Sequence, residues 1–511
     1  MSKKNKKFYF VDLFAGFGGV TSGINTSFVE GKRIAEVIAC VNHDKNAIAS
    51  HAANHPNALH FIEDIRTLDI SPIAEMVRKI RAKDKNAVIC LWASLECVNH
   101  SNAKGGMSRD ADSRTLAWHL FRYIDQLDPD FIWIENVREF KSWCRLVQKE
   151  KDGVLQFITK GKKAGEPVMV PDKRYTGEYY DEWIENVKKH GYNCEDRVLN
   201  CADYGSETSR KRLFIQFAKP NFKISWPEQT HNKNGTNNLK KWLPVAPLLD
   251  LFDFGESIFT KKKTPVDKSV DRILRGVKKF YPEAFFVKYY GTGNNTADIH
   301  SPSPTLTTKD RMYLINSEYG SVHLTGINEP CPAITVNPKQ QLVTAQFIKS
   351  NYSGGGQWNS IEEPSPTLTT VNKHDIVSSV FLLDHQYGNE GNSIEEPCPT
   401  LIARQDKKPK YLVTAPYSLG KNKRAKKIFN YSKINRGDSD KMKELKNYMA
   451  EKGIQNIFMR PLYIVEMLKI MGLPADYILK GTKTEHKKFI GNAVPRKMVV
   501  KLVEKMCYAN M

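Results

Sequence analysis

An α/β fold with a mostly parallel sheet covered on both faces is predicted for the first 217 residues by two observations. Apolar runs of strand length alternate with helix-period segments, and the first run ends in a glycine-rich turn, where a strand hands over to a helix. The strand runs are residues 8–14, 36–41, 87–93, 131–135 and 213–217. Between them, residues 113–126 place Leu116, Leu120 and Tyr123 on one stripe, as an amphipathic helix does, and residues 179–189 read similarly. Residues 146–174, with Gly161 and Gly165-Glu166-Pro167, read as an inserted hairpin.

After Trp226-Pro227-Glu228, prolines, threonines and glycines rise and helical periodicity fades until about residue 441, which predicts a second, β-rich domain. A degenerate repeat, Ile-x-x-Pro-x-Pro-x-Leu/Ile, runs through it, with first prolines at Pro302, Pro330, Pro364 and Pro397. Each copy follows a tyrosine in a polar or glycine-rich loop, and repeats of this size encode one supersecondary unit each. Residues 421–436 hold seven basic side chains and no acidic one, either a phosphate-contacting loop or a solvated linker. Residues 456–474 are helix-like, and 497–506 supply a terminal apolar stripe.

At 511 residues the chain exceeds one ordinary core, so two domains are expected. Its 77 Lys and Arg outnumber 56 Asp and Glu, a formal charge of +21 that attracts polyanions, nucleic acid first among them. The basic N-terminus has no apolar stretch of the signal-peptide kind, and no window reaches the roughly 20 apolar residues of a membrane span. Nine cysteines stand singly with no Cys-x-x-Cys pair, which argues against a disulfide framework and a zinc site. A reducing cytosol and a chain without metal are therefore expected.

Four further places carry chemistry. The strand ending in Asp12-Leu13-Phe14 turns through Ala15-Gly16-Phe17-Gly18-Gly19, which brings backbone amides close to a nucleoside-containing ligand. The dinucleotide fingerprint would need glycine where Thr21 stands, and the Gly-Lys-Ser/Thr of a P-loop is absent. Cys97 follows an apolar strand into the loop 94–101, at the strand end where open α/β sheets place ligands, whereas Cys90 inside the strand reads as a small buried apolar residue. Glu135 closes the apolar run Phe131-Ile132-Trp133-Ile134, so desolvation should raise its pKa toward the working pH of a general acid. Arg210 and Arg212 alternate along a strand and should share one face, with Lys211 on the other.

Taken in order, the glycine turn, Cys97, Glu135-Asn136-Val137, Arg210-Lys211-Arg212 and Gly491-Asn492-Ala493-Val494 resemble the motif series of the DNA (cytosine-5)-methyltransferases. That resemblance implies a Rossmann-like methyltransferase domain with an inserted β-rich target recognition domain: residues 1–235 and 453–511 catalytic, 236–452 recognition. It implies S-adenosyl-L-methionine as cofactor, held by Phe14, Ala15, Gly16, Phe17, Gly18, Gly19, Asn42, His43, Asp64, Ile65, Leu116, Asn492 and Ala493. Cys97 would add to C6 of a cytosine flipped out of double-stranded DNA, Glu135 would protonate or hydrogen-bond N3, and Arg210 and Arg212 would support both. Arg460-Pro461-Leu462 with Glu466 resembles a packing motif between domains. A monomer in a bacterial or phage-infected cytoplasm, without membrane contact and with a possible cognate restriction endonuclease, completes the expectation.

The chain departs from the family pattern in places. Asn42 stands where an acid usually grips the ribose, Leu95-Glu96 replaces Pro-Pro before the cysteine, and Thr208 replaces a frequent glutamine. Glu96 would raise the thiol pKa if it pointed inward, so it is expected to point away. Three rivals follow: an RNA (tRNA) cytosine-5 methyltransferase, weakened by the large insertion; a catalytically silent DNA-binding relative, weakened by retention of Cys97, Glu135 and Arg210; and a nicotinamide-dependent oxidoreductase, weakened by Thr21 and Asn42.

Overall fold

The computed structural model describes residues 6–95, 116–159, 164–250 and 431–511 except 453 and 455. Between 251 and 430 it describes residues 253, 255–262 and 264–280 and a set of short strands. Cys97 and Glu96, nearly all of the four proline repeats, and residues 421–430 of the basic run lie outside the described residues.

The first sheet has seven strands: β1 (Phe8–Leu13), β2 (Ala35–Val41), β3 (Leu59–Phe61), β4 (Val88–Ser94), β5 (Phe131–Asn136), β6 (Asn193–Asn200) and β7 (Lys211–Ala218). Their order is β6-β7-β5-β4-β1-β2-β3; β1 to β5 run parallel, and β7 runs antiparallel to both its neighbours. This is a Rossmann-like sheet with one reversed strand. The five predicted strands are all present, with ends displaced by a residue or two. Of the two that no apolar run announced, β3 is three residues long, and β6 is a sheet-edge strand whose polar run includes Glu195, Asp196 and Arg197.

Helices α1 (Gly19–Asn25), α2 (Lys45–Asn54), α3 (Ser71–Lys83), α4 (Leu120–Leu127) and α5 (Glu178–Lys189) flank the sheet. Because strand side chains alternate, Val11, Leu13, Leu91, Ile132 and Ile134 bury against α3, α4 and α5 on one face. Phe8, Phe10, Trp92 and Trp133 bury on the other. Of the predicted helix 113–126, residues 113–115 lie outside the described residues, and the remainder is a 3-10 turn, Leu116–His119, leading into α4. Within 146–174, Leu146–Gln148 pairs with Met169–Pro171 and Glu150–Lys151 with Val154–Leu155, both antiparallel, and Phe157 bridges Pro167, so the insertion is β-structured as expected but holds more than the one hairpin read from the sequence.

A second sheet of eight strands spans Glu256–Ser257 to Asn456–Pro461 and is mostly antiparallel. Two expectations are corrected here. Helix α6 (Asp267–Phe280) lies inside the region read as lacking helical periodicity. Its buried Val270, Ile273, Leu274 and Val277 follow a helical stripe, but the charged residues between them dilute the hydropathy. Residues 456–461 form a strand and not the start of a helix: Ile457 and Met459 are buried at a spacing of two, and only α8 (Ile464–Ile470) within 456–474 is helical, after α7 (Asp440–Lys452).

Of the last two helices, α9 (Lys483–Asn492) and α10 (Arg496–Asn510), the second returns to the first sheet. Met498, Val499, Leu502, Val503 and Met506 of α10 share one buried cluster with Phe8, Phe10, Val20 and Trp133. The packing is close, since a Cβ on Gly23 of α1 would lie 2.6 Å from Val499 Cβ.

Candidate active site

The carboxyl ends of β1, β2, β4 and β5 open onto a cavity of about 440 Å³. That volume falls within the roughly 300–1,000 Å³ of small-molecule sites, at the strand ends where open α/β sheets bind ligands.

The glycine turn forms its floor. Phe14 (φ 58°), Gly16 (φ 55°) and Gly18 (φ 100°) all take left-handed conformations, so the chain reverses tightly between β1 and α1. A Cβ on Gly16 would meet nothing closer than the Phe14 carbonyl at 4.0 Å, so it would stand in open space at the cavity wall. Gly18 faces away, and a Cβ there would lie 2.7 Å from Tyr477 Oη and 2.8 Å from His55 Cδ2. Phe17 fastens the turn to the C-terminal segment: its ring packs edge-on against Tyr477 at 5.5 Å and stacks with Phe489 at 6.3 Å, and its carbonyl accepts from Tyr477 Oη at 2.8 Å.

Of the sequence-predicted cofactor residues, Phe14, Ala15, Gly16, Phe17, Gly19, Asn42, His43, Asp64, Ile65, Leu116, Asn492 and Ala493 line this cavity, and Gly18 does not. The polar wall follows β2. Asn42 Oδ1 accepts from Asp44 N at 2.9 Å, and Asp44 caps α2 by accepting from Asn46 N and Ala47 N. Asp64 is gripped by Arg66 at 2.7 and 3.0 Å, which holds its carboxyl below the usual carboxylate range.

Glu135 stands on the opposite side, 5% exposed, near the end of β5. In the antiparallel β5–β7 pair its register partner is Phe214, so Arg212 sits one same-face step away and reaches Glu135 Oε1 from Nε at 3.1 Å. Burial pushes the Glu135 carboxyl up, against the downward pull of the Arg212 and Arg210 guanidiniums. Arg210 donates to the carbonyls of Gly491 (3.1 Å) and Asn492 (3.3 Å), which ties the start of β7 to the segment closing the cavity. Lys211 is exposed, on the other face. Ser94 and Leu95, which lead into the Cys97 loop, also line the cavity.

Sequence reasoning missed Asp44, Arg66, Lys488 and Phe489 on the wall. Lys488 and Phe489 lie one helical turn before Asn492, so the face of α9 that carries a predicted residue was a usable clue. Tyr477 and His55 had no local signal, because they meet the turn from distant segments.

Arg460 and Glu466 form a separate buried junction, with bonds of 3.0 and 2.7 Å. Arg460 also donates to the Asp253 and Asp250 carbonyls, and Glu466 accepts from Asp250 N at 2.8 Å. Among the described residues, no helix is long and apolar enough to cross a membrane.

A family profile described as C-5 cytosine-specific DNA methylase matches residues 8–155 and 169–507. The chain is 24% identical over 250 residues to the type II methyltransferase M.DdeI of Desulfomicrobium norvegicum, covering 48% of this chain and 50% of that protein. It is 30% identical over 153 residues to a DNA-cytosine methyltransferase of Escherichia coli K12, covering 26% of this chain and 31% of that one. The matched segments thus span about half or less of those relatives. A solved structure of the Entamoeba histolytica methyltransferase EhMeth aligns over 98% of both chains at 13% identity, with a TM-score of 0.44.

Proposed function

The chain belongs to the C-5 cytosine-specific DNA methylases, and from that premise we propose that it methylates C5 of a cytosine in double-stranded DNA. The observation that carries this reading is one cavity shared by the glycine turn, the buried Glu135 and Leu95.

S-adenosyl-L-methionine, when bound, supplies an electrophilic methyl group on a sulfonium. The cavity suits it: Gly16 leaves room for a ligand at the turn, Phe14, Ile65 and Phe489 offer apolar surface, and Asn42 and Asp64 offer polar groups at the wall. The target base must leave the stack, since its C6 is inaccessible inside a duplex. The Cys97 thiolate then adds to C6, and Glu135 gives its hydrogen to N3 as charge moves into the ring. Arg212 keeps the carboxyl aimed and holds its proton affinity below what burial alone would set. C5, now nucleophilic, takes the methyl group; water then accepts the C5 proton, Cys97 leaves as the thiolate, and N3 returns its hydrogen to Glu135, which restores the ring.

In the same reading, residues 236–452 choose the sequence around the cytosine through groove contacts, and residues 453–511 complete the catalytic unit. The protein works as a monomer in the cytoplasm, in restriction-modification beside an endonuclease of the same specificity or without one. The test is transfer of labelled methyl groups from the cofactor to duplex DNA and, separately, to transfer RNA, followed by mapping of the modified base. Label on C5 of DNA cytosine, abolished by Cys97→Ala, is expected. Label on RNA alone would overturn the substrate, and label that survives Cys97→Ala would overturn the mechanism.

A further inference from the structure

One level of the first sheet carries a polar row across an otherwise apolar face. Asp12 of β1 is in register with Cys40 of β2, and Cys40 with His60 of β3. Residues at one register level of parallel strands face the same way, and His51 of α2 covers that row. Cys40 Sγ and one ring nitrogen each of His51 and His60 consequently lie within 4.8 Å of one another. Cys40 and His51 are fully buried, whereas His60, on the edge strand, is partly exposed and opens a path from solvent.

While Asp12 is ionised, the hydrogen count around the two rings does not close. In that state Thr21 gives its hydroxyl hydrogen to Asp12 Oδ2 at 2.9 Å and its oxygen accepts from His51 Nε2, also at 2.9 Å. A neutral His51 then turns the lone pair of Nδ1 toward His60 Nε2, 3.0 Å away. His60 also hydrogen-bonds the Ala58 backbone, and one neutral imidazole has a single N–H for the two demands. A cation between the rings removes the shortfall, and the neighbouring sulfur adds a third, softer donor. Two imidazoles and a thiolate are the donor set of zinc-class ions.

We propose that Cys40, His51 and His60 bind one zinc-class cation, tetrahedral, with its fourth position open to water on the His60 side. With bonds of about 2.0–2.1 Å to nitrogen, two ring nitrogens on such an ion sit about 3.3 Å apart. The rings, now at 3.0 Å, need to part by only a few tenths of an ångström. The outer shell is in place: His51 Nε2 is oriented through Thr21 onto the Asp12 carboxylate, the arrangement that fixes the tautomer of metal-bound histidines. The three ligands come from β2, α2 and β3, so paired-cysteine spacing could not reveal them. The ion would brace these elements beneath the Asn42–Asp44 wall and take no part in methyl transfer, so the proposal stands apart from the catalytic reading.

The test uses the full chain, stripped with a chelator and titrated with Co²⁺. One equivalent should bind, with visible d–d bands and a near-ultraviolet sulfur-to-cobalt charge-transfer band, and one equivalent of Zn²⁺ should displace it. Cys40→Ser should abolish the charge-transfer band. Thr21→Val should keep the band and weaken affinity about 10- to 100-fold. Zinc-edge X-ray absorption on the unmutated protein, which requires no variant to fold, should show one sulfur at about 2.3 Å. Absence of stoichiometric binding, a first shell without sulfur, or a charge-transfer band that persists in Cys40→Ser would overturn the site.

Discussion

Replacing Glu135 with glutamine separates the proton from the shape. The amide fills the same space, and its oxygen can keep the bond from Arg212 Nε, now 3.1 Å long. What disappears is a transferable proton and a negative charge. A positioned general acid contributes about 10²–10⁴ in rate, so methyl transfer should slow by that factor, about 2.7–5.4 kcal/mol at 1.36 kcal/mol per decade. Stability should move less. Breaking a buried ion pair outright costs about 3–5 kcal/mol, but Arg212 would still bond the amide oxygen and the Lys211 carbonyl, as it does at 2.8 Å. The loss should therefore stay near 1–3 kcal/mol, about one charge-assisted hydrogen bond. Burial holds the Glu135 carboxyl above its ordinary range, so the native rate should fall as pH rises through that value and the proton leaves; the glutamine variant should lack this limb. Single-turnover transfer with saturating DNA and cofactor, beside urea denaturation, measures both effects. A variant within tenfold of the native rate, or one with the same alkaline limb, would refute the role given to Glu135.

Gly18→Ala should cost about 1–2 kcal/mol for its left-handed backbone and, by pushing on Tyr477 2.7 Å away, weaken cofactor binding by about tenfold or more; calorimetry showing native affinity would contradict this. Arg460→Ala leaves Glu466 buried without its cation and should lower urea stability by about 3–5 kcal/mol; a variant as stable as the native chain would contradict this. The Glu485 carboxyl, accepting from Thr482 N, Thr482 Oγ1 and Asn46 Nδ2, is pulled from 4.5 down to about 2. Its contribution is therefore present above pH 4.5 and lost as pH falls through about 2. The native melting temperature should drop across that window, and a Glu485→Gln variant that drops as steeply would show the cap to be inert.

The parallel core was legible because strands buried on both faces, such as β1, β4 and β5, read as nearly continuous apolar runs. Strand β6 was not, because an edge strand carrying Glu195, Asp196 and Arg197 has no such run. Helix α6 hid for a related reason, its stripe of four buried residues being outnumbered by charge. At the site, residues close to strand ends could be placed from sequence, since topology alone delivers the glycine turn, Asn42 and Glu135 to one edge. Long-range partners could not: the Tyr477 bond to the Phe17 carbonyl joins positions 460 residues apart. Arg210 shows the limit of period-two reasoning. Alternation put it on the face of Arg212, but its guanidinium bonds the Gly491 and Asn492 carbonyls, an attachment that no local pattern encodes.

The claim on which the account rests is that residue 97 bonds covalently to cytosine C6. Duplex DNA synthesised with 5-fluorocytosine in place of cytosine tests it directly, because fluorine at C5 cannot leave as a proton does and the adduct cannot resolve. With S-adenosyl-L-methionine present, the protein should become locked to DNA, and peptide mass spectrometry should find a methylated fluoropyrimidine on Cys97. No adduct on such DNA, or one carried by any other residue, would contradict it.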